Sequence, residues 1–180
     1  MTPHRRSRLA LGLLMLIAAS PGRAAPPSPA EEWVPFEANW SASGHEHTLA
    51  LGGGEAMTFE LAGPFVVTRG DGLSRGFFAQ AIGFVDRGRL GIGRLVLTDE
   101  HGDEVFNDLR GQAIGNGKQI AGTITGGTGR YAGLEGDFIF DWQYVVQTDD
   151  GMIQGRTVGL KGRYRRRPDS SPRATPGPTE

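Results

Sequence analysis

The sequence predicts an all-β protein that closes into a small eight-stranded antiparallel barrel. Three observations carry this. Glycine makes up 29 of the 180 residues, about twice its usual ~7% share, and it is spread between short apolar runs. Beyond the N-terminal apolar segment, no window repeats apolar residues at i, i+3, i+4 and i+7. Period-two alternation repeats instead. Glycine weakens a helix interior by roughly 0.5–1 kcal/mol relative to alanine, so its scatter argues against helices.

Nine runs follow in order. Glu46 to Leu51 reads as a strand and ends at Gly52-Gly53-Gly54. Met57, Phe59 and Leu61 alternate with Thr58 and Glu60. Phe65 to Thr68 is apolar and β-branched, closed by Arg69-Gly70-Asp71-Gly72. Gly76 to Val85 places Phe78, Gln80, Ile82 and Phe84 on one face and turns at Asp86-Arg87-Gly88. Gly93 to Thr98 leads to the turn Asp99–Asp103. Glu104 to Ala113 precedes Gly115-Asn116-Gly117, and Gln119 to Thr125 runs into Gly126-Gly127-Thr128-Gly129. Gly136 to Gln147 is the longest run, and Asp149-Asp150-Gly151 is a hairpin turn before Ile153 to Tyr164. Turns at this spacing suit a meander, hence a sandwich or barrel. Glycines within strands, such as Gly83, Gly122, Gly155, Gly159 and Gly162, favour the barrel, because closure needs strong bending.

The two ends are set apart. His4, Arg5, Arg6 and Arg8 precede an apolar run, Leu9 to Ala19, and a small-residue end, Ser20 to Ala24. This is the layout of a secretory signal peptide over residues 1–24. The run is too short for a bilayer span, which takes about 20 apolar residues. Cleavage near Ala24, with Gly22 at the −3 position, predicts export to a periplasmic or extracellular space. Arg5-Arg6 also permits twin-arginine export, although Arg8 stands where that signal usually places an apolar residue. Residues 25–32 read as a linker and residues 165–180 as a disordered tail. The tail is rich in proline and holds no large apolar side chain. The folded domain is expected over 33–164.

Composition excludes several classes. With no cysteine there is no thiol nucleophile, disulfide or thiolate metal ligand. A net charge of −1 gives no general attraction to nucleic acid. No G-x-S-x-G elbow is present. The Gly126–Gly129 turn is followed by no Lys-Ser/Thr pair, so it is no phosphate loop.

The stretch Gly126-Gly127-Thr128-Gly129-Arg130-Tyr131-Ala132-Gly133-Leu134-Glu135-Gly136 resembles one shared by the allene oxide cyclase and dirigent proteins. There a Gly-Gly-Thr-Gly turn is followed by an aromatic residue and Ala-x-x-Gly. The clear likeness spans Gly122–Tyr144. It implies a closed, calycin-like barrel with a hydrophobic axial cavity, often a homotrimer. No catalytic residue carries over, because the shared motif is a turn. Its glycines are expected to supply positive φ angles, Thr128 to bond the turn backbone, and Tyr131 to cover the barrel end.

Candidate chemistry gathers on Gly136–Tyr144. Phe138, Phe140, Trp142 and Tyr144 share one face and read either as packing or as the wall of a site for a small hydrophobic ligand. Asp141 beside them, and Glu60 between Phe59 and Leu61, are the candidate catalytic acids. Turned into an apolar cavity, either acid would have a raised pKa suited to proton transfer in a cyclisation or isomerisation. Arg94, Asn107, Arg110 and Arg156 are expected to pair across strands or to hold a carboxylate ligand. His45 and His47 share one strand face and would hold zinc or copper if a third ligand arrived. No spacing supplies that ligand, so no metal and no cofactor are expected. The leading function is binding of a small hydrophobic ligand or trimeric assembly. The alternative is an isomerase or cyclase.

Overall fold

The computed structural model describes residues 32–52, 54–86, 91–111 and 118–167. The expected signal peptide, most of the expected linker and the expected tail from residue 168 lie outside them. Eight antiparallel strands close into one barrel in sequence order, and the last pairs with the first. They are β1 (Val34–Leu51), β2 (Gly54–Arg69), β3 (Gly76–Asp86), β4 (Gly91–Thr98), β5 (Glu104–Gly111), β6 (Gln119–Gly127), β7 (Leu134–Gln147) and β8 (Met152–Arg166). A 3-10 turn, Gly129–Tyr131, lies between β6 and β7.

Nine expected runs become eight strands. The second and third are one strand through Gly63-Pro64. The β1–β2 ladder lapses between Trp40↔Phe65 and Ser43↔Ala62, which is where Pro64 has no N–H to give. The first strand begins twelve residues before Glu46, at Val34. Phe36, Ala38, Trp40 and Ala42 are buried, and the residues between them are exposed. β8 runs on to Arg166, past the expected boundary at 164. Its end is held by Arg165 Nε on Glu135 at 2.7 Å and by the Arg167 N–H on the Gly133 carbonyl at 3.0 Å.

Alternation sends one residue in and the next out. The core is aromatic: Phe36 lies 6.3 Å from Phe138 and 6.1 Å from Tyr164, and Trp40 lies 5.3 Å from Trp142, centroid to centroid. Inward glycines make room for these rings. A Cβ on Gly83 would lie 2.3 Å from the Phe59 ring, one on Gly155 2.5 Å from Trp142, and one on Gly122 2.0 Å from Phe138. Overpacking of this kind costs about 1–3 kcal/mol. Gly122→Ala is therefore expected to lower the urea midpoint, whereas Gly76→Ala, where a Cβ meets nothing within 4 Å, leaves it in place. Equal midpoints for the two variants would contradict the ring-on-glycine packing.

Candidate functional site

The interior is filled. Phe138, Phe140 and Trp142 face inward and are buried, with Phe138 and Phe140 stacked at 6.1 Å and Trp142 edge-on to the half-buried Tyr144 at 6.4 Å. The void beside Phe36 and Phe138 measures about 10 Å³, and one beside Phe59 and Ile120 about 30 Å³. Ligand pockets run to about 300–1,000 Å³. Phe140 and Trp142 are thus packing in this structure, whereas Phe138 also borders, with Phe36, an open cleft of about 520 Å³ on the outer side of β1, β7 and β8.

The acids are not turned inward either. Phe59 and Leu61 occupy the inside of β2, which puts Glu60 on the outside, exposed. Asp141 lies on the outer face of β7, half-buried between Gln119 and Val158 on the neighbouring strands. A bulge between Ile139 and Asp141 shifts the ladder, yet Phe140 and Trp142 still take the inside. Asp141 and Glu60 stand on separate walls, so the two do not form one site.

The outer surface has two characters. Around β7 and β8 it carries polar pairs: Asp137 is ion-paired with Arg163 at 3.0 Å and Glu135 with Arg165 and Arg167, and Arg156 Nε donates to the Gln143 amide oxygen at 3.1 Å. Across β2–β5 it is apolar. Phe78 is 53% exposed, Ile82 60%, Phe84 44% and Ile92 55%. The ladders set them in rows: His47, Thr58, Phe84, Ile92 and Arg110 cross the wall in one, and His45, Glu60, Ile82, Arg94 and Asp108 in the next.

These two rows line a groove of about 610 Å³. Its floor is low where Gly83 pairs with Gly93, so that Phe59 and Leu109 reach it from below. Arg94 is ion-paired to Asp108, as a strand arginine was expected to be. No hydrogen bond or ion pair among the described residues engages the side chains of Arg110, Glu60, His45 or His47. Asn107 takes the inside of β5 and gives its amide to the carbonyls of Leu95 and Val105, at 3.1 Å each. Glu46, between the two histidines, is buried and accepts from Gln147 at 2.6 Å and Tyr144 at 3.3 Å.

At one end of the barrel a second polar cluster forms around the Gly126–Gly136 turn. Tyr131 is buried against Phe77 at 5.6 Å, as expected of a residue covering the end. Its hydroxyl accepts from the Ser74 N–H at 3.3 Å and donates to Asp99. Thr128 Oγ1 accepts from the Glu104 N–H of β5 at 2.8 Å and so bonds the neighbouring strand. Gly127 is needed for close approach: a Cβ there would lie 2.4 Å from the Glu104 carbonyl oxygen. Gly129, at φ +46, supplies the left-handed turn.

Arg130 is the residue that sequence reasoning missed. Its guanidinium lies 2.7 Å from both the buried Asp99 carboxylate and His101 Nδ1, and 3.4 Å from Glu100. Burial pushes the Asp99 carboxyl up. Hydrogen bonds from Tyr131, from the N–H groups of His101 and Asp103, and from Arg130 outweigh it and hold the pKa at about 2. Asp99, Glu100 and His101 are gathered closely enough for a metal ion, but the guanidinium already supplies the cation. The cluster is a clamp on the barrel end.

Scans against protein-family models, curated proteins and solved structures return no match to this chain.

Proposed function

We propose that this protein is an exported barrel of the allene oxide cyclase and dirigent kind. It serves as a binding module whose working surface is the groove on the outer wall of β2–β5. The family likeness rests on the Gly126–Gly136 turn and the closed eight-stranded order, and the filled interior departs from the axial cavity that likeness implies. The observation that carries the binding surface is that the groove of about 610 Å³ lies on the outer wall. Ile82, Phe84 and Ile92 offer the groove's apolar wall. Arg110, without a partner in the described structure, offers one cationic end. That combination suits a small apolar molecule carrying an anionic group. The cyclase alternative needs an acid enclosed by apolar walls, and neither Glu60 nor Asp141 meets that condition.

The probe is 8-anilino-1-naphthalenesulfonate, which is apolar and anionic. Saturable binding at one site per chain is expected. Burying one such side chain contributes about 1.5–3 kcal/mol, and about 1.4 kcal/mol is tenfold in affinity. Phe84→Ser and Ile92→Ser should therefore each weaken binding about tenfold or more. Unchanged binding in both variants would sink the groove reading.

A homotrimer is the second reading, favoured by the extent of the wall. The apolar surface continues past the groove to Val66, Phe78 and Phe106. Sedimentation equilibrium decides it. A three-chain mass that falls to one chain in Phe78→Ser, with probe binding retained, makes assembly the role of that wall.

A further inference from the structure

The structure assigns a divalent transition-metal site, of zinc or copper type, to His45, His47 and Glu60 at one side of the groove. His45 and His47 project from the same outer face of β1, two residues and about 7 Å apart along the strand. The third ligand, absent from any sequence spacing, is supplied by the ladder: Glu60 of β2 stands directly opposite His45. Directly opposed residues have Cβ atoms about 4.5–5.5 Å apart, so one carboxylate reaches the imidazole opposite and the one diagonal to it.

The backbone holds this juxtaposition tightly. At Gly44 the two strands approach so closely that a Cβ would lie 1.8 Å from the Glu60 carbonyl oxygen. The backbones that carry the three side chains are therefore fixed side by side. The three side chains line the same groove, are exposed, and are committed to no hydrogen bond among the described residues. Their ligand atoms are not gathered as those of Asp99, Glu100 and His101 are, so binding takes a rotamer change at exposed positions. Asp150, in the turn that leads to Met152, the ladder partner of His45 on β8, adds negative charge nearby.

Two imidazoles and a carboxylate complete three positions of a tetrahedral zinc site and leave the fourth open. That position faces the groove wall of Ile82, Phe84 and Ile92. An anionic donor atom on an apolar molecule would fill it. The metal site does not depend on such a molecule, so it stands or falls apart from the groove reading.

The test is calorimetric titration of Zn²⁺ into the chain carrying no added histidine tag, repeated with Co²⁺ followed by its visible absorption. One ion per chain is expected, with cobalt bands of tetrahedral intensity. His45→Ala, His47→Ala and Glu60→Gln should each weaken binding about tenfold or more, the range found even for groups that merely support metal ligands. His101→Ala should bind as the parent does. Circular dichroism melts verify that each variant is folded. Binding that survives in His45→Ala and His47→Ala, binding lost in His101→Ala, or no saturable binding at all would each overturn the assignment.

Discussion

Trp142→Ala is expected to destabilise the barrel by about 3–5 kcal/mol, the range for removing a buried aromatic side chain. Trp142 is 1% exposed. It lies 5.3 Å from the Trp40 ring and directly over Gly155. Gly155 beneath the ring has no side chain to fill the space, so much of the cavity persists. Trp142→Phe should cost much less, for two reasons. It removes less volume, and it removes a buried indole N–H that has no partner among the described residues, where an unmade hydrogen bond costs about 1–3 kcal/mol. Urea unfolding followed by circular dichroism measures both. A midpoint for Trp142→Ala within error of the parent would show that the interior is not closely packed.

Acid should unfold the protein through Asp99, and Asp99→Asn should blunt that response. The Asp99 carboxyl is held at about 2 against an ordinary value of 3.8. A depressed carboxylate contributes stability that is present above the unfolded value and lost as pH falls toward the folded one. The window is therefore about pH 4 down to 2. Tyr131 works in the opposite direction at the other extreme. Burial and its hydrogen bond to Asp99 push the phenol up to about 12, so its share of stability is present below about 10 and lost between 10 and 12. In Asp99→Asn, Arg130 loses its buried carboxylate partner and keeps the more exposed Glu100 and Asp103, the melting temperature at neutral pH falls, and the slope of melting temperature against pH between 4 and 2 flattens. Thermal melts across pH 2–8 read this. An unaltered slope would place the acid sensitivity elsewhere.

The barrel was legible because its causes are local. Strand alternation and turn glycines are written in short windows, and eight strands emerged from nine runs once Gly63-Pro64 was spanned. The inside and outside of β3 were not legible. Phe78, Ile82 and Phe84 are larger than Ala79, Ala81 and Gly83, yet the small set faces the core, because rings from other strands, Phe59 among them, already fill it. That preference is set by packing across the barrel and leaves no mark within the strand. The metal ligands show the same limit. His45 and His47 are visible as a pair, but Glu60 joins them only through register. Arg130 lay inside the motif that drew attention, and was overlooked because its partner, Asp99, sits in a different turn. The available signal was the turn at 99–103 with Asp99 at its start, whose carboxylate accepts from the N–H groups of His101 and Asp103.

Closure of β8 onto β1 has a consequence for how the protein meets other molecules. A sheet with a free rim can be lengthened by a visiting peptide or by another copy, strand upon strand, and such growth is the common route to fibrils. Here each strand is hydrogen-bonded on both sides, so the described barrel has no rim to lengthen. On the barrel wall, recognition proceeds through side chains. Its selectivity should then be altered by single substitutions on the outside of β2–β5, while the main-chain ladder stays constant beneath them.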